Sequence, residues 1–86
     1  MRQNNLLEAS NYLLQGFDIQ AKQTGLKNKK LEDGYNALAV NFIKLRKHDK
    51  AVELLKKVVE CRKKLYGNNS AKVADAHEVI GKIQND

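Results

Sequence analysis

The chain has 86 residues, a formal net charge of +6, 42% hydrophobic and 30% charged residues, no proline and no tryptophan. That length holds one small domain, marginal in its buried area unless it packs against something else, and the abundance of Ala, Leu, Lys and Val without proline favours helix throughout. No apolar run approaches the roughly 20 residues that cross a bilayer, and Met1 to Asn5 lack the apolar segment of a secretory signal, so no membrane role is expected and the cytosol is the expected compartment.

Four helices are expected, and the fold class is all-α. The first spans 4–23, where Leu6, Leu7, Ala9, Leu13, Leu14, Phe17, Ile19 and Ala21 mostly recur at three- and four-residue spacing. Gly25 suits the left-handed turn that ends it, and Leu26 to Lys29 form a polar connector. The second, 30–47, carries Leu31, Tyr35, Leu38, Ala39, Phe42, Ile43 and Leu45 on one side. Gly34 inside it costs up to about 1 kcal/mol relative to alanine, which points to a close helix contact.

Asp49 is the expected N-cap of a third helix over 50–66, with Ala51, Leu54, Leu55, Val58, Val59, Cys61 and Leu65 toward the core. Gly67 closes it, Asn68 and Asn69 turn the chain, and Ser70 caps a fourth helix over 71–84 bearing Val73, Ala76, Ile80 and Ile83. Short connections between amphipathic helices give antiparallel neighbours, hence two stacked helical hairpins.

The single cysteine cannot form an internal disulfide, and Cys61 reads as a small buried residue. His48 and His77 read as partly buried packing or capping groups, since no third ligand stands at metal spacing. Asn68-Asn69-Ser70 matches a glycosylation acceptor, to which the absence of a secretory signal gives no use.

Charge is uneven: residues 1–43 hold five basic and four acidic side chains, residues 44–86 eleven and six. Lys56, Lys57, Glu60, Lys63 and Lys64 are expected on the outward side of the third helix. A solvated face is the ordinary meaning of such a run, and an electrostatic nucleic-acid contact the alternative one. Aromatics that would stack on bases are not interleaved with it apart from Tyr66. No glycine-rich phosphate loop, Ser-His-Asp set, HExxH or CxxC pattern occurs, so neither enzymatic activity nor a cofactor or metal is expected.

A shift of 42 residues lays Ala9 on Ala51, Leu13 on Leu55, Lys22 on Lys64, Gly25 on Gly67, Lys30 on Lys72 and Asp33 on Asp75. An internal period implies one supersecondary unit stacked on copies of itself. Leu38-Ala39, Phe42, Ala51, Leu55 and Val58 resemble, in spacing, the tetratricopeptide repeat, and the long period resembles its kinesin light chain form. Residues 51–67 look like that form's second helix, and Ser70 to Ala74 with Ile80-Gly81 like the following first helix. Gly16 stands where the family has alanine, and the first connector lacks the usual proline.

The resemblance implies a right-handed superhelical stack of antiparallel hairpins, covering nearly the whole chain as second, first, second and first helix, and either a fragment of a longer repeat protein or a self-capped module. In the latter the fourth helix, with Glu78, Lys82, Gln84 and Asp86 toward water, is the cap. It further implies a scaffold that binds a protein or peptide without chemistry, through a concave groove or the open end helices, with self-association or neighbouring repeats as other partners. A purely architectural segment of a cytoskeletal or ciliary assembly is the remaining implication. Carried over by position, the groove residues are Asp33, Asn36, Val40, Ile43 and Lys44 on the second helix and Asp75, Glu78, Val79 and Lys82 on the fourth. The acidic members favour a basic or mixed peptide over an acidic tail.

Overall fold

The computed structural model describes the backbone of residues 3–85 and the side chains of residues 5–84. Met1, Arg2 and Asp86, drawn on above for the start of the chain and the water-facing side of its last helix, lie outside the described residues. The chain forms α1 (Gln3–Thr24), α2 (Lys29–Lys44), α3 (His48–Tyr66) and α4 (Ala71–Asn85), with no strand among the described residues. None of these helices is long and apolar enough to cross a membrane.

The ends of the helices follow local chemistry. Gly25 and Gly67 adopt φ of 80° and 96° after α1 and α3, the left-handed region that glycine enters without a Cβ penalty. The Ser70 hydroxyl accepts from the amide of Lys72 at 3.1 Å, and α4 begins there. Asn28, read above as plain connector, is the N-cap of α2, its carboxamide oxygen accepting from the amides of Lys30 and Leu31 at 2.9 and 3.3 Å.

Two boundaries depart from the sequence reading. Helix α2 stops at Lys44, three residues before the expected Lys47, because Arg46 turns left-handed at φ 61°. The amide of Lys47 then donates to the carbonyl of Phe42 at 2.8 Å and that of Arg46 to Ile43 at 3.0 Å, which is the Schellman pattern with arginine in the place glycine usually takes. Helix α3 consequently starts at His48 with Lys47 as N-cap and no side-chain capping bond. Asp49 lies inside the first turn, where its charge complements the helix dipole but caps nothing.

Packing is consecutive. Helix α1 packs on α2, α2 on α3 and α3 on α4, and among the described residues no other pair of helices comes into backbone proximity. The Cα trace spans 38 by 33 by 17 Å. Its core is supplied mainly by the middle hairpin: Leu31, Tyr35, Leu38, Ala39 and Phe42 of α2 meet Ala51, Leu54, Leu55, Val58, Val59 and Cys61 of α3, and α4 adds Val73, Ala76 and Ile80. Each large aliphatic or aromatic side chain so buried contributes about 1.5–3 kcal/mol. Ala39 and Ala51 are wholly buried, as expected of small residues at a helix crossing.

Helix α1 joins through Leu7, Leu14, Phe17 and Ala21. Its closest approach is at Gly34: a Cβ there would lie 2.6–2.9 Å from ring atoms of Phe17. The glycine of α2 is therefore the seat of the Phe17 ring, which also meets the Tyr35 ring edge-on at 6.0 Å between centroids.

Candidate functional site

The carried-over residues occupy one side of α2, since positions 33, 36, 40, 43 and 44 follow three- and four-residue steps. Asp33, Val40 and Lys44 are exposed, whereas Asn36 and Ile43 are half-buried and Ile43 packs against the core. On α4, Asp75, Glu78, Val79 and Lys82 are all exposed. The Lys82 ammonium pairs with Glu78 at 3.4 Å and the Lys29 ammonium with Asp33 at 3.5 Å. Both are exposed helix-surface pairs, screened by solvent and of little weight for stability. Helices α2 and α4 both lean on α3 and do not meet one another. The side chains of the two sets thus form two polar stripes, each with one apolar residue, Val40 or Val79, that is about two-fifths exposed.

Sequence reasoning missed the most elaborate polar cluster. Glu32, on the core side of α2, has a side chain only 3% exposed. It accepts from Arg62 Nε at 2.8 Å, from the Tyr66 hydroxyl at 3.0 Å and from Lys29 Nζ at 3.4 Å. Arg62 also donates through Nη1 to the carbonyl of Lys72 at 2.8 Å, so one guanidinium ties α3 to both α2 and α4. Burial pushes the Glu32 carboxyl up, but donation from Arg62, Tyr66 and Lys29 outweighs it and holds the group below its ordinary value. No buried side-chain polar atom among the described residues lacks a partner, so the cluster reads as a structural clamp between helices.

A second cluster joins α1 to the hairpin. The Tyr35 hydroxyl donates to Asp18 Oδ1 at 2.8 Å, and Lys57 Nζ approaches the same oxygen at 3.2 Å while lying 5.5 Å from the Tyr35 ring centre. Burial and the Asp18 carboxylate raise the Tyr35 phenol well above its ordinary value. Asn41 Nδ2 also donates to the buried Ser10 hydroxyl at 3.4 Å. Lys57, expected on the outward lysine face, is thereby half-buried and engaged, and Lys63 is half-buried beside α4. The lysines that do face solvent, Lys56 and Lys64, share their side of α3 with Glu53 and Glu60.

His48 and His77 are both exposed, which corrects their reading as partly buried groups. His48 opens α3, where the Schellman turn holds it outside the core, and His77 lies on the water side of α4. Among the described residues no group of three His, Cys, Asp or Glu side chains converges as metal ligands would. Cys61 is fully buried and free, and burial raises its thiol above the ordinary value, with Glu32 and Glu60 adding to the effect. The clefts on the surface are shallow; one lies between the start of α3 and the end of α4 at His48, Val52, Lys56 and Ile83, another around Asp18, Tyr35 and Lys57.

No family model matches this chain, and no curated protein or solved structure matches it either.

Proposed function

We propose that this chain is a non-catalytic, protein-binding helical scaffold of tetratricopeptide type, stacked as a right-handed superhelix, which receives a basic or mixed peptide or partner helix along α2 and α4. The observation that carries this reading is the strictly consecutive packing of four amphipathic helices, with Ala39 and Ala51 fully buried among Leu38, Phe42 and Leu55. In a stack of this kind each unit contacts only its neighbours, and the sides of the stack are the working surface. Asp33 and Asp75 recur at equivalent places on α2 and α4, which would give an extended cationic ligand two acidic contacts one repeat apart. Asn36, half-buried beside them, carries an amide able both to donate to and accept from a peptide backbone.

The test is a peptide-array screen on the chain followed by calorimetry of the best binder on the wild type, Asn36→Ala and Asp75→Lys. Weakened binding in both variants supports the α2 and α4 stripes. Unchanged binding in both removes the site from these helices.

A further inference from the structure

We infer that the outward face of α1 is a self-docking surface, on which two copies of this chain pair antiparallel through α1 about a two-fold axis. This inference is independent of the peptide-binding reading of α2 and α4.

The face is apolar and bare. Tyr12 is 78% exposed, Ile19 59% and Leu13 50%, with Ala9 and Gly16 exposed between them. The 42-residue echo shows what kind of face it is. Ala9, Tyr12, Leu13, Gly16 and Ile19 fall on Ala51, Leu54, Leu55, Val58 and Cys61 of α3, and every one of those is at most 3% exposed. The side of the repeat that is sealed within the core in α3 is thus open to solvent in α1, and it is a side shaped to receive a helix.

The sequence of the face specifies which helix. Ala9, Tyr12, Gly16, Ile19 and Gln23 alternate in steps of three and four, the spacing of a two-helix seam. The small Ala9 and Gly16 fall in one class of position and the large Tyr12 and Ile19 in the other. When a second α1 lies antiparallel, Ile19 of each copy faces Ala9 of the other and Tyr12 faces Gly16, so each bulky side chain meets a small one. A Cβ at Gly16 would find nothing within 4 Å in its own chain, which leaves room for the incoming ring. In the same register Glu8 of one copy faces Lys22 of the other, twice per pair, with Gln15 facing Gln15 at the axis. Glu8, Gln15 and Lys22 stand seven residues apart on one flank of the seam, all exposed. Among the described residues, neither Glu8 nor Lys22 has an ion-pair partner in its own chain.

The other open end of the stack fits this face poorly. On α4 the exposed side chains include Asp75, His77, Glu78, Lys82 and Gln84, and Val79 is its one large exposed apolar residue among those described. Laying α4 over Tyr12 and Ile19 would desolvate these polar groups without partners. Self-pairing of α1 is isologous and closes as a dimer.

The experiment is sedimentation equilibrium on the 86-residue chain from micromolar to millimolar concentration, with charge-reversed variants. The wild type is expected to double its mass. Glu8→Lys and Lys22→Glu should each place two like-charged pairs in the seam and weaken the dimer roughly tenfold or more. The double variant Glu8→Lys/Lys22→Glu should return to wild-type affinity, and an equimolar mixture of the two singles should form a mixed dimer. Tyr12→Ser/Ile19→Ser should remain monomeric with unchanged helical circular dichroism, because both side chains are exposed. A monomer at every concentration overturns the inference. So does a dimer indifferent to the charge reversals, or growth beyond the dimer that Val79→Lys abolishes.

Discussion

Replacing Arg62 with methionine is the sharpest probe of how this small stack holds together. The substitution keeps the length and apolar stem of the side chain but removes the guanidinium that reaches Glu32 at 2.8 Å and the Lys72 carbonyl at 2.8 Å. Breaking a buried pair from one side costs about 3–5 kcal/mol because a charge stays behind without compensation. Here Arg62 retains 15% side-chain exposure, and Tyr66 and Lys29 still donate to the carboxylate, which brings the expected loss to about 2–3 kcal/mol. For a chain of 86 residues, whose whole stability is on the order of 4–13 kcal/mol, that lowers the melting temperature by about 10–20 °C. Thermal denaturation followed by circular dichroism reads it directly. Glu32→Leu/Arg62→Met should recover more than half of the loss, since an apolar pair of similar size needs no donors. An Arg62→Met variant melting within about 3 °C of wild type, or a double variant less stable than either single, would refute the reasoning.

Three further outcomes follow from the Glu32 clamp, the Gly34–Phe17 contact and the Arg46 turn. The folded Glu32 carboxyl lies below its ordinary value of 4.5, so the unfolded chain binds more protons in acid. The stabilisation from this group is complete above about pH 4.5 and drains away as pH falls through the folded value; Glu32→Gln should flatten that acid limb in denaturant titrations at stepped pH. Gly34→Ala should destabilise by about 1–3 kcal/mol despite alanine's better helix propensity, because the new methyl enters the Phe17 ring, and Phe17→Leu in the same chain should restore part of it. Arg46→Gly should raise stability by about 0.5–1 kcal/mol, since glycine holds the left-handed turn at φ 61° without the Cβ clash.

What the sequence made legible was whatever is local. Glycines 25 and 67, Ser70 and the three- and four-residue spacing of apolar side chains placed all four helices, and Gly34 announced its close contact. Helix α2 overran its real end because arginine, at position 46, occupies a turn position whose usual mark is glycine; losing that mark also moved the N-cap of α3 from Asp49 to Lys47. The Glu32 clamp was illegible for a different reason. A carboxylate can sit in the core only when donors arrive from elsewhere, and Arg62 and Tyr66 lie 30 and 34 residues further along. The acidic type of Glu32 matches that of the exposed Asp33 beside it, and only the three- and seven-residue steps to Tyr35 and Ala39 mark position 32 as core-facing. Helix α1 shows the converse, for Leu13 and Ile19 read as core by type, yet Ser10 is buried and they are not; the helical period names a face without naming its neighbour. The α2 and α4 stripes were readable as exposed positions of amphipathic helices, while the relation between those stripes depends on tertiary geometry that spacing alone does not encode.

Because each helix packs its backbone only on the ones before and after it in the chain, with the Lys57–Asp18 pair reaching from α3 back to α1, most helix contacts join elements linked by one short loop. Such low contact order favours rapid folding. It also grades protection along the chain: the α2–α3 hairpin, covered from both flanks, is the last part to exchange its amide hydrogens, while α1 and α4, each anchored from one side, fray first.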